Sequence, residues 1–226
     1  MKIIGHRGAK GLAPENTLAS FKKALEHHVD QIEFDLRVTR DHIVVINHNK
    51  EVADPAGTKL LIRASTLEQL RRHKPDLMTF QEFLDVIDHR AHLLVEIKPG
   101  EPTKQIIAML KEDIGRGRPA ENISVGSFSQ SILRQIHTAL PRLELVVIEH
   151  WSGMYATWRA RRLGARRINM RSWWLWRGFL RAMHRRGYQI SPYTMNSEHN
   201  RRRLQKWRPY IYGVITDYPD RFKRLR

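Results

Sequence analysis

Eight times between residues 2 and 216 a short apolar run is followed by an amphipathic stretch, and that alternation constrains the fold more than anything else in the chain. The runs are 2–5, 31–36 (extended by 43–47), 93–98, 123–125, 143–148, 167–170, 189–193 and 213–216. Their brevity and β-branched content predict strands, whereas the stretches between them carry apolar residues at helical spacing, as Leu18, Phe21 and Leu25 do. Helices are expected over about 18–28, 66–72, 79–88, 103–113, 130–139, 155–163, 175–186 and 198–206, with a short one at 219–226. Repeated strand–helix units run their strands parallel, and eight of them close into an α/β barrel of the (β/α)8 kind. An open doubly wound sheet is the alternative, but it calls for a glycine-rich phosphate loop after the first strand, and His6-Arg-Gly8 is a poor one.

The whole chain, 1–226, is read as one barrel domain, since 226 residues are enough to bury a single large core. There is no cysteine, which excludes disulfides and thiolate metal sites. The longest apolar runs have five or six residues, against roughly 20 for a spanning helix. With the first strand starting at Lys2, no leader segment is expected, and the chain reads as cytoplasmic.

Strand ends carry the chemistry. His6 follows the first run, Glu33 and Asp35 lie in the second, His48 follows its extension, and Glu96 and Lys98 close the third. Side chains alternate faces with period two, so Glu33 and Asp35 share a face, as do Glu96 and Lys98. Unpaired charge in a core is costly. Three carboxylates at neighbouring strand ends therefore suggest a divalent cation, with Mg²⁺, Ca²⁺ or Mn²⁺ suited to all-oxygen donors. The competing reading pairs these carboxylates with Arg7, Arg37 or Lys98 and needs no metal. His6 and His48 are candidate acid and base, because histidine titrates near neutrality. Arg7 and Lys98 are candidate phosphate contacts.

These residues resemble a known family. His6-Arg-Gly8, Pro14-Glu-Asn-Thr17, Glu33-Phe-Asp35 with Thr39 and Asp41, His48, Glu96-Ile-Lys98 and Thr216-Asp-Tyr-Pro219 are similar to motifs of the glycerophosphodiester phosphodiesterases. Val125-Gly-Ser-Phe128 and Tyr193-Thr-Met-Asn196 resemble the family's weaker later motifs. The resemblance implies a TIM barrel with a small insertion after the second strand. It implies hydrolysis of a phosphodiester to an alcohol and glycerol 3-phosphate, with Mg²⁺ or Ca²⁺ held by Glu33, Asp35 and Glu96. His6 and His48 then become the catalytic pair, and Arg7 and Lys98 the phosphate contacts. Departures from the family pattern are Asn49 after His48 where Asp is usual, His42 after Asp41 where Gly is usual, and Tyr193 where Trp is frequent. An Asn supplies no charge to raise His48. The insertion also looks shortened, to about residues 49–65, which predicts an open mouth suited to bulky substrates.

Charge is divided unevenly. Residues 1–113 hold 17 basic and 17 acidic residues, so the net +17 lies entirely in 114–226, together with all six tryptophans. Trp151 and Trp173 follow the fifth and sixth strands and are expected near the substrate, as is Asn196 after the seventh. A rim of Trp and Arg suits lysophospholipid substrates and peripheral contact with an anionic membrane. Nucleic acid is the rival partner, but no nucleic-acid motif is present and an acidic site repels a polyanion. Two other functions are carried forward: a phosphodiester- or lipid-binding protein without turnover, and a phospholipase D-like enzyme acting on choline lipids.

Overall fold

Alternation of strand and helix persists through the computed structural model, which describes residues 1–88 and 90–225. The strands are β1 Lys2–Gly5, β2 Gln31–Val38, β3 Val44–Ile46, β4 Glu51–Ala53, β5 Lys59–Leu61, β6 His92–Ile97, β7 Ile123–Ser127, β8 Glu144–Glu149, β9 Arg167–Arg171, β10 Gln189–Tyr193 and β11 Gly213–Thr216. The α-helices are α1 Leu18–Glu26, α2 Leu67–His73, α3 Phe80–Ile87, α4 Lys104–Gly115, α5 Gln130–Ala139, α6 Gly153–Leu163, α7 Arg177–Arg185 and α8 Glu198–Trp207.

Eight described strands are parallel neighbours in the order β10-β9-β8-β7-β6-β2-β1-β11. The ring closes between β10 and β11 without a regular ladder, through Tyr212 N–H to Ile190 O and Met195 N–H to Ile215 O, both at 2.9 Å. Pro192 has no N–H to donate, which fits a strand beside that seam. The chain is thus a nearly closed TIM barrel. Helix starts are set by side chains that cap the first free N–H groups: Thr17, Thr66, Thr79, Ser129, Ser152 and Ser197. Thr79 with Glu82, and Thr66 with Gln69, form reciprocal capping boxes.

Two sequence expectations need correction. The run 43–47 does not extend β2; Val44–Ile46 turns back and pairs antiparallel with it, Leu36 opposite Ile46. The helix expected from 175 begins at Arg177, because Ser172–Trp174 forms a 3-10 turn and Leu175 and Trp176 are extended. The terminal element is a 3-10 helix, Pro219–Leu225, and Arg226 lies outside the described residues. The insertion is short, consisting of the β4–β5 hairpin and a 3-10 turn at Ile62–Ala64.

Period-two alternation fills the barrel in layers. At the N-terminal end buried Arg167 donates to Gln31 Oε1 (2.5 Å), Glu144 Oε2 (2.9 Å) and Ser124 Oγ (3.2 Å), so its charge is paired with Glu144. Above it Ile4, Leu94, Val146 and Ile215 form an apolar plug. The helices pack outside on a larger core that includes Phe21, Phe34, Phe80 and Phe83. Residues two further along each strand emerge at the C-terminal mouth, where a TIM barrel places its reactive groups.

Candidate active site

Asp35 sits opposite Glu96 in the β2–β6 register, and Glu33 lies one pleat below on the same face. All three are buried, and one carboxylate oxygen from each lies within 4.8 Å of the others. Lys98 bridges two of them, with Nζ 2.6 Å from Asp35 Oδ1 and 2.5 Å from Glu96 Oε1. Arg7 Nε approaches Asp35 Oδ2 at 3.3 Å, while its Nη1 bonds both oxygens of Glu15 at 2.9 Å. Its backbone N–H donates to Glu33 Oε2 at 2.8 Å.

That loop is held in shape by the residues around it. Gly8 has φ +84°, and a side chain there would strike Ser20. Asn16, also left-handed at φ 57°, donates from Nδ2 to Asp35 Oδ2 at 3.0 Å. The His-Arg-Gly and Pro-Glu-Asn-Thr segments are therefore one structure, a collar that aims Arg7 at the carboxylates.

Neighbouring acids titrate in opposite directions. Burial and the charges of Asp35 and Glu96 hold Glu33 well above the usual carboxylate range. Burial and Asp35 also raise Glu96. Burial works against Asp35 too, but Lys98, Arg7 and His48 overcome it and hold the group down at about 2. Two carboxylates whose ionisation is disfavoured beside a third are relieved when a cation enters.

His6 Nδ1 donates to Asp217 Oδ1 at 2.5 Å, which leaves Nε2 for the cavity. Asp217 is fixed in turn: Asn196 Nδ2 donates to its Oδ2 at 2.7 Å, and Asn196 Oδ1 accepts its backbone N–H at 2.9 Å. Asn196, expected at the substrate, is thus committed to Asp217. His48 Nδ1 lies 3.0 Å from Asn49 Oδ1, so the proton sits on Nδ1 and Nε2 is the basic nitrogen. Burial lowers the His48 pKa, and Lys98 and Arg7 lower it further against the pull of Asp35. Arg37 clamps the His48 carbonyl from Nη2 at 2.8 Å and Nε at 3.2 Å, while Glu101 receives its Nη1 at 2.8 Å.

A cavity of about 580 Å³ joins these groups, with His6, Arg7, Glu33, His48, Glu96, Lys98 and Asp217 on one side. Its far wall carries Phe128, His150, Asn169, Arg171, Trp173 and Tyr193. Trp173 thus lines the cavity. Trp151 stands at the rim, its ring 6.0 Å from that of Trp173. Sequence pattern gives no role to His150 or Asn169; it offers Arg37 only as a partner for the carboxylates, Arg171 only among the rim arginines, and Asp217 only as a strand-end member of Thr216-Asp-Tyr-Pro219.

A parallel barrel with buried carboxylates, cations and two oriented histidines at its C-terminal mouth defines a hydrolase for an anionic ester. The chain belongs to the glycerophosphoryl diester phosphodiesterase family, whose profile matches residues 6–221. It is 26% identical over 250 residues to a glycerophosphodiester phosphodiesterase of Bacillus altitudinis, covering 100% of this chain and 98% of that protein. A second relative, from Caldanaerobacter subterraneus, is 25% identical over 237 residues, covering 96% of this chain and 94% of its own. An Oleispira antarctica phosphodiesterase, solved with the product sn-glycerol-3-phosphate, superposes with TM-score 0.85 at 23% identity, covering 99% of this chain and 96% of that one. A Thermotoga maritima family member superposes with TM-score 0.81 at 23% identity, covering 100% and 98%. Both structures share the fold.

Proposed function

We propose that this chain, acting as a single catalytic unit, hydrolyses glycerophosphodiesters to an alcohol and glycerol 3-phosphate with the help of a divalent cation. The observation that carries the reading is the buried trio Glu33, Asp35 and Glu96, of which Glu33 and Glu96 line one cavity with His6 and His48. The donors fit a hard cation, Mg²⁺ or Ca²⁺: they are all oxygens and buried, and burial together with mutual repulsion raises Glu33 and Glu96. Such a cation would be held by those three side chains and would supply Lewis-acid charge to the phosphoryl oxygens.

The remaining steps belong to the protein. Neutral His48, with its proton on Nδ1, accepts at Nε2 a proton from the water whose oxygen forms the new bond to phosphorus as the bond to the alcohol oxygen breaks. His6, oriented through Nδ1 by Asp217, delivers a proton from Nε2 to the departing alkoxide. Lys98 and Arg7 offset charge on the phosphoryl group. The test is product analysis by mass spectrometry on glycerophosphodiesters and lysophospholipids with each cation. Glycerol 3-phosphate should appear, and His6→Ala and His48→Ala should each lose most of the rate. Saturable binding without turnover under any cation would instead identify a binding protein, and lysophosphatidic acid released from choline lysophospholipids, with no glycerol 3-phosphate from the glycerophosphodiesters, a phospholipase D-like enzyme.

A second reading concerns where the substrate is met. Trp151, Trp173 and Trp176 are 67%, 61% and 64% exposed beside Met154, Tyr155 and Trp158. Arg171 lies over the ring of Trp151 and Arg162 over that of Trp158. Aromatic rings interleaved with arginine at a barrel mouth suit the headgroup layer of an anionic membrane, with lysophospholipid drawn from it. No described helix is long and apolar enough to cross a membrane, so the attachment proposed is peripheral, from the cytoplasmic side. Sedimentation with vesicles containing phosphatidylglycerol should carry the protein down in a salt-sensitive way. Trp173→Ala should weaken it, and equal binding to neutral phosphatidylcholine vesicles would refute the reading.

A further inference from the structure

The cavity's far wall has a charge that the hydrolytic machinery does not use. In the ring of strands, β9 stands four places from β2 in either direction, so Arg171 lies across the mouth from Glu33 and Asp35. Arg171 lines the cavity, yet no carboxylate pairs with it among the described residues; its recorded contact is the Trp151 ring, 5.5 Å from the guanidinium carbon. One pleat below on the same face, Asn169 is 2% exposed, and its Oδ1 has no hydrogen-bond partner. An unpartnered buried amide oxygen is costly. Here it borders the cavity, where a ligand hydroxyl or amine can satisfy it.

His150 completes the wall. Its Nδ1 lies 2.9 Å from the hydroxyl of Tyr193, and its ring packs 4.5 Å from that of Phe128. Among the described residues the other lysines and arginines lining the cavity are already engaged: Lys98 with Asp35 and Glu96, Arg7 with Glu15 and Asp35, and Lys10 with Glu15. Arg171 is the cation left to meet a second negative group on the substrate.

We propose that Asn169, Arg171 and His150 form the subsite for the leaving alcohol, and that it selects polar headgroups bearing an anionic group. This rests on the phosphodiesterase reading, and it deepens it by naming a substrate class. Geometry separates the two ends: a phosphoryl group engaged at β2 and β6 directs the rest of the diester toward β9. Chemistry also disfavours a quaternary ammonium headgroup. Such a cation seeks an open aromatic face, and at Trp151 a guanidinium is already placed over the ring. A cationic headgroup would in addition be repelled by Arg171.

The experiment measures kcat/KM for four diesters: glycerophosphoinositol 4-phosphate, glycerophosphoserine, glycerophosphoinositol and glycerophosphocholine. Equilibrium binding of the same four is measured on the His6→Ala protein, where turnover is suppressed. The two anionic headgroups should lead choline by about tenfold or more in both, the range of one charged hydrogen bond. The phosphate and carboxylate arms show which anion is preferred. Arg171→Gln should bring the ratio close to one, Arg171→Lys should keep part of it, and Lys111→Gln, a charge removed from the exposed face of α4, should leave it unchanged. Choline bound and cleaved as well as the anionic diesters, or an unchanged ratio in Arg171→Gln, overturns the subsite. Absence of turnover on all four overturns the phosphodiesterase reading instead, and the binding ratios still decide the headgroup preference.

Discussion

Replacing Asp217 by Asn tests whether His6 is held as a proton donor through its second nitrogen. In the structure both oxygens of Asp217 accept: Oδ1 from His6 Nδ1 at 2.5 Å and Oδ2 from Asn196 Nδ2 at 2.7 Å. An amide keeps one acceptor and gains a donor, so one of these contacts must fail. If the new NH₂ faces Asn196, two donors collide. If it faces His6, the amide donates to Nδ1 and forces the imidazole proton onto Nε2, the nitrogen that faces the cavity. A buried donor left unmatched costs about 1–3 kcal/mol. At about 1.4 kcal/mol per decade, kcat/KM should fall by roughly 10–100-fold from lost positioning alone. The charge on Asp217 adds a stability signature. Burial opposes its ionisation, but the hydrogen bond and charge of His6, followed by Asn196, hold its pKa below the usual carboxylate value. Its contribution is therefore complete above the unfolded value of about 3.9 and fades as pH falls through the lower folded value. Wild type should melt above Asp217→Asn at pH 7, with the gap closing below about pH 4. The assays are steady-state kinetics across pH and thermal melts at matched pH. Activity within twofold of wild type, with an unchanged pH profile, would refute the reasoning.

Other perturbations follow from the same geometry. Asn49→Asp places a carboxylate where His48 now meets a neutral amide. Burial holds His48 low in the present structure, so the added charge should move the acid limb of kcat/KM toward higher pH; a limb that stays in place would show that His48 is not the base. Arg37→Ala frees the His48 carbonyl and leaves the Glu101 carboxylate, among the described residues, with the Val38 N–H. It should lower stability by about 1–3 kcal/mol in denaturant melts and reduce kcat, with loss of stability alone arguing against a positioning role for the clamp. Mg²⁺ or Ca²⁺ at about 100 times its dissociation constant should stabilise the fold by roughly 2.7 kcal/mol. Differential scanning fluorimetry should show that shift in wild type and a much smaller one in Asp35→Asn, and no shift in wild type with either ion would remove the cation from the site.

Much of this architecture was legible along the chain, because strand and helix periodicities are local. The alternating unit exposed the barrel, and period two placed Glu33 with Asp35 and Glu96 with Lys98 before any tertiary contact was known. The β3 arm escaped the reading because an apolar run of five residues looks the same whether it continues a strand or folds back on it. The start of α7 was misplaced for a related reason. Leu175 is buried and Trp176 fits a helical stripe, yet both lie in an extended segment that carries the aromatic rim. Asn196 ends a strand at the mouth, which in sequence looks like a substrate contact; only the fold shows its amide turned to Asp217.

The sequence by itself determined that Glu33 shares a face with Asp35 and Glu96 with Lys98 at strand ends, since a residue's face on a strand depends only on its neighbours in the chain. It also determined that the second half is strongly basic and rich in tryptophan. Tertiary structure alone decided what those side chains do to one another. His6 meets Asp217 across 211 residues of sequence, and Arg37 meets Glu101 across 64. Asp35 is pulled down to about 2 while Glu33, two residues away on the same face, is driven up. Their sequence environments are nearly the same, and the difference lies in how close Lys98 and Arg7 come once the barrel closes. Coulombic energy and desolvation depend on distance and burial in space, and neither is encoded in position along the chain.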